Sequence, residues 1–452
     1  MSKITLGQAA AWCGGRVDPK YAQVSFLGAN NDSRNIQPGQ LFLALQGVRD
    51  GHDFIPMAME KGAAAVLCTH CEADIPAIIV EDVRLALGQI AAGERQRIGM
   101  KVVGVTGSVG KSTTKEMIAC VLASSYRVAK TPVNHNNDIG MPMAILSMSA
   151  DTQIAVLEMG MNHFREIAYL TDIAKPDVGV IINIGTMHIE HLGSREGILK
   201  AKLEILEGMN ADGKLLLYGN DDYLWSARDT VGLKPVYFGT DDARCAILGK
   251  NVNLTEAVEF DAVFDQETVH IKLDLEGAHY VSDALAAVSV GLTMGIAPQK
   301  ISSALASFQN MEGRQEIFEA KGYTIIKDCY NAGPESMAAA LSVLGNRPGR
   351  KIAVLGDMLE LGVCAQAEHY KIGRIAAEKA DIVLAYGPNS SRVVSGALTG
   401  GIAQPHTGDF QDRNELVAML KRIAKPGDVI LFKGSHGMHM ELALEKFLKD
   451  ET

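Results

Sequence analysis

Short apolar runs alternate with helix-length amphipathic stretches along nearly the whole chain, the switching periodicity of α/β architecture. LFLAL (41–45), AAAVLC (63–68) and AIIV (77–80) predict strands, with helices near 53–61 and 83–98. KVVGVTG (101–107) leads into glycines and then a helix from about Lys111, and IAVLEMG (154–160) and DVGVIINIG (177–185) are two more uninterrupted apolar runs. Runs that are apolar at every position suit parallel strands covered on both faces. The stretch 213–275, with TVHIKLDLEG, predicts antiparallel strands, followed by helices near 281–294 and 298–309. YTIIKD (323–328), KIAVLGD (351–357), DIVLAYG (381–387) and DVILFKG (428–434) then alternate with helical segments in a doubly wound pattern. Three units follow from this: a small α/β N-terminal domain (1–99), a central P-loop-type ATPase domain with a mostly parallel sheet (100–312) and a Rossmann-like C-terminal domain (313–452).

Composition narrows the classes. The 452 residues carry a formal charge of −10, which argues against nucleic-acid binding, since duplex contact rests on clustered Lys and Arg. No apolar run approaches the roughly 20 residues of a bilayer span, and the N-terminus lacks a basic-then-apolar export signal. A cytoplasmic, monomeric enzyme is the expectation. Seven scattered cysteines fit reduced thiols. Cys68 and Cys71 flank His70, but no second pair at zinc-site spacing follows, so that CxxC reads as structural.

The strongest chemical signal is GVTGSVGKST (104–113). Backbone N–H groups of such a turn and the helix N-terminus after it face phosphate oxygens. Lys111 would reach the β/γ-phosphates and Ser112 would bind magnesium, although Val105 stands where the generic P-loop has glycine. Ligands of open parallel sheets bind at the carboxyl ends of strands. Glu158 closes one such strand, and Asn183 and His188 follow the next, suitable ligands for Mg²⁺. Lys202, on the amphipathic segment EGILKAKLEIL (196–206), reads from spacing alone as a solvated lysine. Asn134, Asn136 and Asn137 before Gly140 suit either a turn or hydrogen bonding to a polar ligand.

These pieces occur in an order that resembles the Mur ligase family over about residues 24–445: DSRNIQPGQLFLALQGVRDGHDF (32–54), TGSVGKSTTKEM, NHNNDIGMP, LEMGMN, NIGTMHIEHLGSREGILKAK, DCYNAGPESM, LGDMLELG and LFKGS. NNDIG, DCYNAGP and GDMLELG point to the branch that adds a dipeptide. The resemblance implies ATP-dependent joining of D-alanyl-D-alanine to a UDP-N-acetylmuramoyl-tripeptide through an acyl phosphate, with ATP and two Mg²⁺. It places ATP phosphates on Gly107, Ser108, Val109, Gly110, Lys111, Ser112 and Thr113, and assigns Asn136 and Asp283 to the nucleotide. Asn137 would lie at the reacting centre. Ser112, Glu158, His188 and Lys202 would hold metal, Lys202 as a carbamate. Arg314 and Asp328 would close over the nucleotide, Ser33 and Arg34 would meet the uridine diphosphate, and Asn331, Lys433 and Ser435 would face the dipeptide. The chain departs from the family pattern at Tyr280 and Asp283, where asparagines are usual, at Arg165, where glycine is usual, and at His436, where arginine is usual. The competing expectations are a ligase for another amino acid, including the folate-polyglutamylating type, and a nucleotide-binding scaffold without turnover.

Overall fold

The apolar runs become the strands of three sheets that stack along the chain. The computed structural model describes residues 3–229 and 232–449. In the first unit, strands Ala29–Asn30, Leu41–Leu43, Ala65–Cys68 and Ala77–Ile79 pair in parallel, beside a small two-stranded sheet, Ile4–Thr5 with Ser25–Phe26. The predicted helix near 83–98 forms as Val83–Ile98, because Asp82 accepts from the N–H groups of Arg84 and Leu85 and so satisfies two otherwise orphaned donors. The helix predicted near 53–61 is split into a 3₁₀ turn, Gly51–Phe54, and a short helix, Ile55–Glu60.

The central sheet has nine strands. Lys101–Thr106 pairs in parallel with Val178–Ile181 on one side and Ile154–Glu158 on the other, and all residues of these three strands except Lys101 are buried. The antiparallel expectation for 213–275 needs correction. Lys214–Tyr218 and Val236–Gly239 continue the parallel sheet, onto which Ile247–Asn253 also pairs in parallel, and antiparallel pairing begins only between Ile247–Asn253, Val258–Phe264 and Glu267–Leu273. The last two alternate buried and exposed positions, as a sheet covered on one face requires, whereas LLL and YFG within the parallel pair are buried or nearly so on both faces. The third sheet runs Glu316–Ala320, Tyr323–Asp328, Val429–Lys433, Lys351–Gly356, Ile382–Tyr386, Thr407–Phe410, parallel except at its first pair. The edge strands Glu316–Ala320 and Thr407–Phe410 carry exposed polar positions, so no apolar run announced them.

The two joints differ in chemistry. Helix Val83–Ile98 packs Leu87 and Ile90 into one core shared with Ile167, Leu170 and Ile173 of helix Glu166–Ala174, so the first two units are joined by apolar burial. The second joint is polar: Arg314 Nη2 donates to Ser112 Oγ at 3.3 Å, Thr186 N–H donates to Glu335 Oε1 at 2.9 Å, and Arg347 pairs with Glu276. Exposed polar contacts each contribute only about 0–1 kcal/mol, so this joint is the one suited to opening and closing.

Candidate active site

The strand–turn–helix at 101–123 is set by a small set of local bonds. Asn183 Oδ1 accepts from the N–H groups of Ser108 and Val109, both at 2.9 Å, and Asn183 Nδ2 donates to Val109 O at 2.9 Å. Ser108 Oγ accepts from Gly185 N–H at 2.9 Å. The turn is thus fastened to the end of the neighbouring strand. Gly110 has φ +85°, and a Cβ there would come within 3.0 Å of Asp283 Oδ1, so both conformation and space call for glycine. Lys111 curls back, its Nζ donating to Gly107 O at 2.9 Å and Ser108 O at 3.2 Å. Burial pushes its pKa down, with Glu158 opposing.

The turn opens into a cavity of about 930 Å³ walled by all three units. Of the residues singled out in the sequence, Ser108–Thr113, Asn134, Asn136, Asn137, Glu158, His188, Asp283, Arg314, Asp328, Asn331 and Lys433 line it. Glu158 is 3% exposed: Asn136 Nδ2 donates to its Oε1 at 2.9 Å, Lys115 Nζ stands 3.8 Å from Oε2, and that oxygen has no hydrogen-bond partner. Asn137 Oδ1 accepts from Gly140 N–H at 2.8 Å and so caps the helix that begins there. Arg314 stacks 3.6 Å over the Tyr330 ring. Lys433 Nζ donates to Asp328 Oδ2 at 2.7 Å and to Asn331 O at 2.9 Å. His188, in a left-handed conformation at φ +64°, lies with Nδ1 2.7 Å from Glu360 Oε2.

Lys202 overturns the solvated reading of its helix. It is 2% exposed, and burial, aided by the Lys111 charge, drives its pKa well down. Carrying an ammonium into such a site costs several kcal/mol, so burial favours the neutral amine. It is not among the residues that line the cavity. Ser435, Ser33 and Arg34 also do not line the cavity. Ser435 Oγ accepts from Leu359 N–H at 2.9 Å, Ser33 is buried against Met57, and Arg34 forms a two-point pair with Asp32 at 2.9 and 2.8 Å.

The departures have physical consequences. Arg165 occupies φ +75°, where glycine would be unstrained, at a cost of about 1 kcal/mol. Its guanidinium pairs with Glu207 at 2.7 Å. Tyr280 is buried and its hydroxyl accepts from Asn310 Nδ2 at 2.7 Å. His436 is exposed, its ring 6.3 Å from that of Tyr330. Asp283 is 5% exposed and accepts from Thr114 Oγ at 2.8 Å, and burial raises its carboxyl to about 7. A raised carboxyl contributes stability below its unfolded value near 4 and loses it as pH climbs through 7. Asp283→Asn, which keeps an acceptor for Thr114, is therefore expected to stabilise the protein on the order of 2 kcal/mol more at pH 8 than at pH 5. Thermal denaturation at the two pH values checks this, and an equal change at both would mean that Asp283 does not titrate there.

Sequence reasoning passed over Glu335, Glu360 and Tyr330, although each lies inside a quoted segment. The partners of Glu335 and Glu360 are more than 140 residues away in the chain, so no spacing reveals them, and Tyr330 meets Arg314 only because the fold turns the intervening segment back on itself.

Profiles of the Mur ligase middle domain, the Mur ligase glutamate ligase domain and the Mur ligase family catalytic domain match residues 105–291, 313–436 and 24–95. The UDP-N-acetylmuramoyl-tripeptide–D-alanyl-D-alanine ligase of Bacillus subtilis (strain 168) is 39% identical over 433 residues, 94% of this chain and 93% of the relative. A crystal structure of MurF from Acinetobacter baumannii matches with a TM-score of 0.91 at 31% identity over 100% of both chains. The MurF ligase from Thermotoga maritima, solved in complex with ADP, matches with a TM-score of 0.81 at 30% identity over 93% of this chain and 96% of that one. With a strand–turn–helix phosphate cradle enclosed by three α/β units, the chain belongs to the Mur ligase family, in the branch of the UDP-N-acetylmuramoyl-tripeptide–D-alanyl-D-alanine ligases.

Proposed function

We propose that this protein joins D-alanyl-D-alanine to UDP-N-acetylmuramoyl-tripeptide at the expense of ATP, giving the pentapeptide precursor of peptidoglycan. The observation that carries the reading is the convergence of Lys111 with Glu158, whose buried Oε2 accepts no hydrogen bond, at a cavity walled by all three units. The division of labour is that residues 1–99 take the UDP end, 100–312 the ATP, and 313–452 the dipeptide, in the cytoplasm and as a monomer.

A carboxylate is a poor electrophile, so the γ-phosphoryl group passes to the terminal carboxylate oxygen of the tripeptide and ADP leaves. The dipeptide amine then attacks the acyl carbon, and the C–O bond to phosphate breaks. The N–H groups of 107–113 and the Lys111 ammonium hold the transferring phosphoryl group. Arg314, flat on Tyr330 and bonded to Ser112, brings the third unit onto the nucleotide and keeps water from the acyl phosphate. Asp328 orients Lys433 beside Asn331, towards the incoming dipeptide.

Magnesium suits the residues present. Glu158 Oε2 is an anionic oxygen that accepts no hydrogen bond, with the Ser112 hydroxyl and the His188 imidazole on the same cavity. Among the described residues no group of three or more His, Cys, Asp and Glu could by itself hold a metal. That fits Mg²⁺, which keeps waters and substrate oxygens in its shell. When bound, two such ions offset charge on the phosphoryl oxygens. Lys202, whose pKa burial drives well down, would take up CO₂ as a carbamate through its neutral amine, losing one proton and gaining an anionic oxygen.

Phosphate release should require ATP, the UDP-tripeptide and D-alanyl-D-alanine together. Release with another amino acid in place of the dipeptide would favour a different ligase. Nucleotide binding with no release under any pairing would favour a scaffold.

A further inference from the structure

Two carboxylates of the third unit reach across the polar joint to one short segment of the central unit. Glu335, at the start of helix Pro334–Asn346, accepts from Thr186 N–H at 2.9 Å and Thr186 Oγ at 3.1 Å. Two residues further on, His188 places Nδ1 2.7 Å from Glu360 Oε2. Nδ1 makes no aligned hydrogen bond as placed, but the separation is that of a charge-assisted bond, and a small ring rotation aligns the N–H. Glu360 is not a passing surface contact. It adopts φ +62°, a conformation a β-substituted residue holds only when its surroundings impose it. Its loop is pinned inside the third unit, Met358 N–H donating to His369 Nε2 and Leu359 N–H to Ser435 Oγ, both at 2.9 Å. On the far side Gly362 lies so close to Glu190 that a Cβ would sit 3.0 Å from its side chain.

A metal-binding imidazole is oriented by the partner of its other nitrogen. We propose that Glu360 is a positioning residue for His188: docked from the third unit, it holds Nδ1 so that Nε2 is presented to the cation, and the metal site is complete only when that unit has closed. Because Glu335 grips Thr186 in the same movement, the His188 segment is ordered from two points belonging to the mobile unit. Premature phosphoryl transfer in the open state is thereby discouraged. This inference rests on the reading that magnesium and nucleotide bind at this cavity.

The test uses Mn²⁺ as the probe, its affinity measured by electron paramagnetic resonance on the full chain with a non-hydrolysable ATP analogue and the UDP-tripeptide. Glu360→Ala should weaken Mn²⁺ binding about 10–100-fold and lower kcat, while the melting temperature of the ligand-free protein stays unchanged. Glu360→Asp should recover part of the affinity. In a His188→Asn background, Glu360→Ala should weaken Mn²⁺ by no more than about twofold further, since the partner it positions is gone. Wild-type affinity in Glu360→Ala, or full additivity with His188→Asn, overturns the proposal. Failure of the wild type to bind Mn²⁺ with nucleotide would instead overturn the site assignment beneath it.

Discussion

Lys111→Ala should lower phosphate release by about 10³-fold, the scale set by removing one preorganised charge-stabilising donor from a transition state. The ammonium is partly buried, rests on the carbonyls of Gly107 and Ser108, and has no carboxylate in hydrogen-bond contact. Those two carbonyl bonds are easily exchanged for phosphate oxygens, whose negative charge matches the ammonium better. The substitution removes a desolvated charge, so the fold should tolerate it and the melting temperature should not fall. Lys111→Arg keeps the charge but cannot fit the same compact point contact, and should restore little of the rate. The check is phosphate release with all three substrates, beside calorimetric ATP binding. A rate within tenfold of wild type would remove Lys111 from the phosphates.

Lys202→Met should abolish most of the activity while making the protein more stable. Its amine is buried without a carboxylate, and its pKa is driven well down by burial and then by Lys111. A lysine whose folded pKa lies below its unfolded value of about 10.4 costs stability at every pH below 10.4, and the full cost is present below the folded pKa. Replacing it with an apolar side chain of similar length removes that cost, so the melting temperature should rise at pH 7 in bicarbonate-free buffer. Activity should drop by about 10²-fold or more, because the anionic oxygen a carbamate would supply is gone. In the wild type, carbon-13 bicarbonate should produce a carbamate resonance that is absent from Lys202→Met. A fully active variant, or a wild type indifferent to CO₂ depletion with no such resonance, would leave Lys202 as a buried structural residue. A simultaneous gain in stability and loss of turnover is the signature of a site held in a strained state for function.

What could be read in one dimension was whatever is decided within a few residues. GVTGSVGKST dictates its own geometry, because strand, glycine turn and helix N-terminus follow one another directly, and Lys111 lies where that spacing puts it. Helix Val83–Ile98 was legible from its period, and the wholly apolar runs announced the parallel strands. The edge strands at 316–320 and 407–410 were not, because an edge needs no apolar face, and the strands at 214–218 and 236–239 joined the parallel sheet against expectation, since pairing direction is set by the connection and not by composition.

The protonation and reach of the site were decided only in three dimensions. Lys202 carries the spacing of a solvated lysine, yet its pKa is driven well down because the packed fold withdraws water from it and sets Lys111 nearby. Asp283 meets Thr114 across 169 residues, and Glu360 meets His188 across a joint between two units. Desolvation and charge proximity depend on which surfaces touch, and a linear pattern holds that information only where neighbours in space are also neighbours in the chain.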